Sequence, residues 1–251
     1  MGLITVFANQ KGGVGKTTSA VNLGAYLSLA GKKVLLVDFD PQCNLSSTVS
    51  ASTDAKGIYE VITGTLPARE AVQTTMVPNL NIIASSINLT GAGVELVSEE
   101  RREFFLKDVL EPLRDEYDYI FTDCPPSLGI LTLNGLVAAD NVIIPLQCEY
   151  FAMEGLTQLL SSIRQVKRTL NPSLGIQGIV FTMYDTRNRL SQDVVQEVVG
   201  YFKERVFRTV IPRNVRLSEA PSHGVPVCRY DADCAGAKAY QKLAEEVLER
   251  G

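Results

Sequence analysis

Apolar residues fall into short unbroken runs, separated by longer stretches in which they recur every three or four positions. The runs "LITVFA" (3–8), "KVLLVD" (33–38), "LNIIA" (80–84), "YDYIFTD" (117–123), "NVIIPL" (141–146) and "IQGIVFT" (176–182) predict buried strands. "VFRTVI" (206–211) is a candidate for one more. Helical spacing appears at 16–30, 94–114, 152–170 and 191–203, and "AGAKAYQKLAEEVLER" predicts a closing helix. Strand and helix in alternation predict an α/β fold, a mostly parallel, twisted sheet with helices on both faces. At 251 residues the chain fits one large domain, 1–251, better than two small ones. Residues 46–78 follow neither period; "SSTVSAST" within them predicts a loop or a helix start.

Composition adds bounds. With 45% hydrophobic and 21% charged residues, the chain can bury an ordinary core. No apolar run approaches the roughly 20 residues of a membrane span, and the N-terminus lacks the marks of a secretory signal. Five scattered cysteines form no C-x-x-C pair and read as reduced thiols. The single histidine, His223, leaves little room for histidine-dependent triads or metal sites and reads as a loop residue. Net charge is −4, yet residues 187–229 carry eight basic side chains against four acidic ones. That asymmetry allows an anionic partner on an otherwise acidic protein, although a solvated face explains it as well.

The chemistry gathers at strand ends. "NQKGGVGKTT" (9–18) follows the first strand and opens the first helix, the context of a phosphate-binding loop. Gly12, Gly13 and Gly15 free the backbone to turn successive N–H groups onto phosphate oxygens, with Val14 between them and Thr18 just beyond. Lys16 supplies a charge to the β- and γ-phosphates, and the Thr17 hydroxyl is placed to ligate Mg²⁺. The loop departs from the G-x-x-x-x-G-K-[ST] pattern in two ways: Gln10 replaces the first glycine, and a second lysine, Lys11, precedes the glycines. "LLVDFDPQCN" ends its strand with Asp38 and Asp40, and "YIFTDCPPS" ends another at Asp123. The carboxyl edge of such a sheet is where ligands bind. Asp40 is the candidate for orienting the attacking water, Asp123 for holding the metal's water shell, and Asp38 for shaping the switch and the metal site.

"KGGVGKTT" resembles the deviant phosphate loop of the ParA/MinD group of P-loop ATPases, whose members carry an extra signature lysine, here Lys11. "VDFDPQCN", "DYIFTDCPPSLG", "IPLQCEYFAMEGL" and "VIPRNVRLSEAPSHGVPV" resemble the chromosome-partitioning ParA branch, also called Soj, so the likeness runs from residue 4 to about 231. Cys43 stands where that branch usually has glycine. The resemblance implies a P-loop NTPase fold and an ATP- and Mg²⁺-dependent homodimer. In it, the signature lysine of each subunit reaches the phosphates bound by the other. It implies that Gly12 lies at the subunit interface, Glu149 meets the opposite ribose, and Pro212 and Asn214 line the purine. It further implies non-specific DNA binding by the ATP dimer through Arg187 and Arg216, helped by Arg189 and Arg213. Hydrolysis would be stimulated by a ParB-type centromere-binding partner, in the cytoplasm on the nucleoid.

Three rivals share parts of this pattern. A MinD-like membrane ATPase needs a basic amphipathic tail, but "KLAEEVLERG" offers Glu245, Glu246 and Glu249, and its apolar Tyr240, Leu243 and Val247 are spaced for packing. An iron–sulfur ATPase needs paired cysteines, and Cys124 has no partner at convincing spacing. A small-molecule kinase has no use for the second lysine. With the phosphate loop about ten residues from the start, no helix-turn-helix domain is expected before it.

Overall fold

The computed structural model describes residues 1–54 and 56–250. Seven strands form one sheet: β1 (Leu3–Phe7), β2 (Val34–Asp38), β3 (Val72–Thr74), β4 (Leu80–Ile83), β5 (Tyr119–Asp123), β6 (Asn141–Gln147) and β7 (Gly175–Thr182). Their spatial order is β3-β4-β2-β5-β1-β6-β7, parallel throughout except for the short edge strand β3. All six apolar runs read as strands are strands. Every residue of β2 and β5 is buried, the result of covering both faces with helices.

The helices are α1 (Lys16–Leu29), α2 (Asn44–Thr48), α3 (Ile58–Ile62), α4 (Leu89–Glu95), α5 (Phe105–Leu110), α6 (Ile130–Ala138), α7 (Ala152–Thr169), α8 (Arg189–Phe202), α9 (Val215–Glu219), α10 (Val227–Tyr230) and α11 (Ala235–Arg250). Alternate residues of each strand feed two cores. Ile4 and Val6 of β1 face a layer that includes Leu106, Leu136, Leu156 and Val198, whereas Phe7 meets Ala20, Leu23 and Leu243 of α1 and α11.

Three expectations need correction. The helical pattern at 94–114 is broken: α4 ends at Glu95, a 3₁₀ turn covers Leu96–Ser98, and helix resumes only at α5. Residues 206–211 are not a strand. They run beside β7 with Phe207 N–H on the Ile179 carbonyl (2.8 Å) and Ile211 N–H on the Phe181 carbonyl (2.8 Å), without a continuous ladder. Their backbone is tied instead to Glu246, whose carboxylate accepts Arg208 N–H (2.8 Å), Thr209 N–H (3.0 Å) and the Thr209 hydroxyl (2.8 Å). Glu246 is therefore a buried structural group, not one of three acids on an exposed tail. Tyr240, Leu243 and Val247 pack inward as their spacing predicts. The unreadable stretch holds α2, α3 and β3, elements of three to five residues that are too short to show a period.

Candidate functional site: a phosphate loop and its carboxylate edge

Parallel register brings the site together. Asp123 pairs with Phe7 of β1 on one side and with Asp38 of β2 on the other, so both strand-end aspartates stand abreast beside the loop that leaves β1. Gly13 and Gly15 have φ of +73° and +88°, left-handed values that cost a side-chain-bearing residue of the order of 1 kcal/mol. A Cβ at Gly13 would meet nothing within 4 Å, so its left-handed backbone and not crowding is what favours glycine there. Thr182, at the end of β7, donates its hydroxyl to the Val14 carbonyl at 2.8 Å and braces the loop from below. Nothing in the sequence pattern singles Thr182 out.

The two lysines part company. Lys16 is buried, 7% exposed, and its ammonium rests on the Lys11 carbonyl at 3.3 Å. Burial pulls its pKa below the ordinary lysine value against the opposing charges of Asp123 and Asp40. The Lys11 ammonium turns outward, half exposed, and pairs with Glu149 beyond the end of β6. Two exposed aromatic residues follow, Tyr150 and Phe151, packed edge to face with ring centres 5.0 Å apart.

The three aspartates have different surroundings. Asp38 is fully buried; one oxygen accepts Ser46 N–H (2.8 Å) and the Ser46 hydroxyl (2.6 Å), and the other is reached by Asp40 N–H at 3.3 Å. Burial pushes its pKa up to about 6 although these donors favour the charged form. Asp123 accepts the Thr17 hydroxyl at 2.6 Å through one oxygen, while its other oxygen is buried with no partner. Burial first, and then the Asp38 charge, drives the Asp123 pKa up. Asp40 accepts Gln42 N–H at 3.0 Å. Ser46 was hidden in the unreadable stretch, and only the fold shows that it organises Asp38. Between Asp40 and α2, Cys43 has φ of +55°, which gives a physical reason for the glycine usual there.

An orphaned carboxylate oxygen beside a threonine hydroxyl, with the buried Lys16 ammonium near Asp123 and Asp40, fits a hard divalent cation. Magnesium binds through one or two protein oxygens together with phosphates and waters. Among the described residues, no three His, Cys, Asp or Glu side chains converge to hold a metal by themselves. Next to the loop lies a cavity of about 200 Å³ lined by Gly15, Thr18, Met183, Pro212, Asn214 and Leu217. Both residues expected at a purine line it; Met183 and Leu217 were not foreseen.

Arg187 and Arg213 lie on two loops joined where Tyr184 N–H donates to the Ile211 carbonyl (3.1 Å) and Arg213 N–H to the Tyr184 carbonyl (3.0 Å), and Arg189 and Arg216 lie at the starts of the helices that follow, α8 and α9. Arg187 pairs with Asp185 at 2.8 Å and remains 87% exposed. Arg216 bridges Glu219 (2.8 Å) and Asp231 (3.3 Å). Arg189 begins α8 at the surface, and Arg213 is exposed beside the cavity. His223 ends a 3₁₀ turn and stacks on Tyr230. Among the described residues, no helix is long and apolar enough to cross a membrane.

Known proteins share this architecture. A family model described as an AAA domain matches residues 2–176. The chromosome-partitioning ATPase Soj of Treponema pallidum (strain Nichols) is 59% identical over 250 residues, spanning 100% of this chain and 98% of that protein. The chromosome partitioning protein ParA of Myxococcus xanthus is 50% identical over 252 residues, covering 100% of this chain and 89% of that protein. Among solved structures, a putative plasmid partition protein of Borrelia burgdorferi bound to AMPPNP superposes with a TM-score of 0.82 at 29% identity, over 100% of this chain and 98% of that one. A cobyrinic acid a,c-diamide synthase of Mycobacterium smegmatis with bound ADP and magnesium gives 0.87 at 37%, over 99% and 95%. The two strand-end aspartates, the loop with its outward second lysine and this full-length similarity lead to one conclusion: the chain belongs to the Soj/ParA family of chromosome-partitioning ATPases.

Proposed function

We propose that the chain is a DNA-partitioning ATPase whose ATP-bound homodimer binds DNA without sequence preference and releases it after hydrolysis. The observation that carries this reading is the direction of Lys11. Its ammonium leaves its own phosphate loop for Glu149 at an exposed edge, whereas phosphoryl transfer needs positive charge on the transferring group, commonly supplied in trans. Lys11 and Glu149 are thus paired with each other in one subunit, and each has its task in the other: Lys11 on the phosphates, Glu149 on the ribose. Gly12 supports the same reading. A Cβ there would approach only Pro126, at 4.0 Å, so the subunit's own packing does not call for glycine. The exposed Tyr150–Phe151 pair offers apolar area for the same contact.

Within a subunit, the N–H groups of Gly13, Val14 and Gly15 cradle the phosphates, and the Lys16 ammonium moves from the Lys11 carbonyl onto the β- and γ-oxygens. Thr17 and Asp123 would hold Mg²⁺, which would supply positive charge to the phosphates when bound. Asp38 contributes by fixing Ser46 and hence α2. Asp40 orients the attacking water. Thr18 and the cavity holding Pro212 and Asn214 take the nucleoside.

The names of the relatives support partitioning, and the arginines supply the surface for it. The Tyr184 links hold the Arg187 and Arg213 loops together beside the base cavity, with Arg189 and Arg216 just beyond at the starts of α8 and α9, and this edge is the proposed DNA surface. Dimerisation doubles that edge, and phosphate contacts of this kind give salt-dependent, sequence-blind affinity. A ParB-type centromere-binding protein is the proposed activator, with the cycle running on the nucleoid in the cytoplasm.

The test measures DNA binding with ATP, ADP and no nucleotide, alongside the mass of each species. Binding by an ATP dimer alone is expected. Equal DNA affinity in all three states, or an ATP complex that stays monomeric, would refute the reading.

A further inference from the structure

Asn9 lies between β1 and the glycines, and neither the strand pattern nor the loop motif gives it a task. It is buried, 6% exposed, with both ends of its amide engaged. β1 accompanies β6 as far as Ile143, which pairs with Phe7 and accepts Ala8 N–H at 3.2 Å. β6 then continues alone on that side to Gln147, which leaves the Pro145 carbonyl without a strand partner there. Asn9 Nδ2 donates to that carbonyl at 2.7 Å. Its Oδ1 accepts Lys11 N–H at 3.0 Å, closing an Asx turn. Only one amide orientation serves both partners, since a carbonyl needs the NH₂ and an N–H needs the oxygen.

One side chain therefore fastens the backbone of Lys11 to the strand that delivers Glu149, whose N–H meets the Gln147 carbonyl at 2.9 Å. A residue that merely braced the phosphate cradle would touch Val14, Gly15 or Lys16. Thr182 does so; no hydrogen bond joins the Asn9 side chain to any of them among the described residues. Lysine is long and flexible, so its ammonium is aimed only as well as its backbone is held. A misplacement of about 1 Å in a reacting constellation costs on the order of 100-fold in rate.

We propose that Asn9 is a positioning residue for ATP hydrolysis: it fixes the Lys11 backbone against β6 so that the ammonium points out of its own loop toward a second subunit. This rests on the trans reading of Lys11 given above, and the experiment separates the two.

Full-length Asn9→Ala, Lys11→Gln and the double variant are compared for turnover of Mg-ATP and for affinity for Mg-ADP. Asn9→Ala is expected to lower kcat about tenfold or more while ADP affinity stays within about twofold, because the Asn9 side chain bonds directly to none of Gly13, Val14, Gly15 or Lys16. In the Lys11→Gln background the same change should cost no more than about twofold further, since nothing remains to be aimed. Asn9→Ser keeps an acceptor for the Lys11 N–H and should recover part of the lost turnover; it also carries the test if the alanine variant does not fold. A fall in ADP affinity parallel to kcat, a loss that multiplies with Lys11→Gln, or no recovery in Asn9→Ser relative to alanine would overturn the proposal. So would wild-type turnover in Asn9→Ala. If Lys11→Gln itself turns over normally, the trans reading fails, and the role for Asn9 with it.

Discussion

Two edges of this molecule meet at the base cavity and are built differently. Between Ala8 and Thr17 the chain is held at four points: Asn9 to β6, Val14 to Thr182, Lys16 to the Lys11 carbonyl and Thr17 to Asp123. These groups are mostly buried, and one oxygen of Asp123 is left without a partner. From Val206 to Asp231 the chain crosses the surface in short turns with little regular ladder, and its charged groups pair with one another in water: Arg208 with Glu249, Arg216 with Glu219 and Asp231. Exposed pairs of this kind contribute little to stability, because water screens them. In the proposed function they are the charges exchanged for a phosphate backbone. A reaction site requires groups that stay where they are put; a sequence-blind docking surface requires charges that can be lent.

The contrast sets an order of expected effects. Lys16→Ala should abolish measurable ATP binding, by titration with a fluorescent analogue; retained affinity would break the comparison at its firm end. Asp40→Ala should leave ATP binding and DNA retention intact while turnover falls on the order of 100-fold, as for a lost group acting on the attacking water. Near-normal turnover in a phosphate-release assay would remove Asp40 from that role.

Glu246→Gln sharpens the comparison from the other side, because this one buried carboxylate anchors the loose edge. It should destabilise the fold by about 2 kcal/mol in urea titration, the cost of losing charge from a hydrogen-bonded buried group. Burial alone would raise the Glu246 pKa, but donors from Arg208, Thr209 and Arg250 outweigh it and hold it below the ordinary value of 4.5. A depressed folded pKa means the stabilisation is present above pH 4.5 and is lost as pH falls through the folded value. The glutamine variant should lack that acid-side loss. The smallest effect belongs to Arg216→Ala: DNA affinity should weaken with the slope of log affinity against log salt reduced by about one, and ATP-dependent dimerisation unchanged. An unchanged slope would place the DNA surface elsewhere, and Arg187→Glu would then decide between this edge and another.

Legibility followed the same divide. The six apolar runs, the loop and the strand-end aspartates could be read because each is specified by neighbours within a few residues: an unbroken run, a glycine spacing, an acid at the end of a strand. Residues 206–211 read as a strand because they are apolar and β-branched, but their backbone donors go partly to a glutamate at position 246. The break in the helical pattern at 96–104 and the roles of Asn9, Ser46 and Thr182 were invisible for a related reason. Each depends on a partner chosen by packing.

The sequence by itself determined that this chain makes a parallel sheet with a phosphate loop on its first turn, and that the loop carries one lysine too many. Backbone sterics and hydrophobic periodicity act over short distances, so they are written locally. Only the tertiary structure decided that Asp38 and Asp123 stand abreast, that Lys16 turns inward while Lys11 turns out to Glu149, and that the Arg187 and Arg213 loops are joined through Tyr184. Those are pairings across many residues of chain, fixed by which strands lie side by side and which buried donors find acceptors.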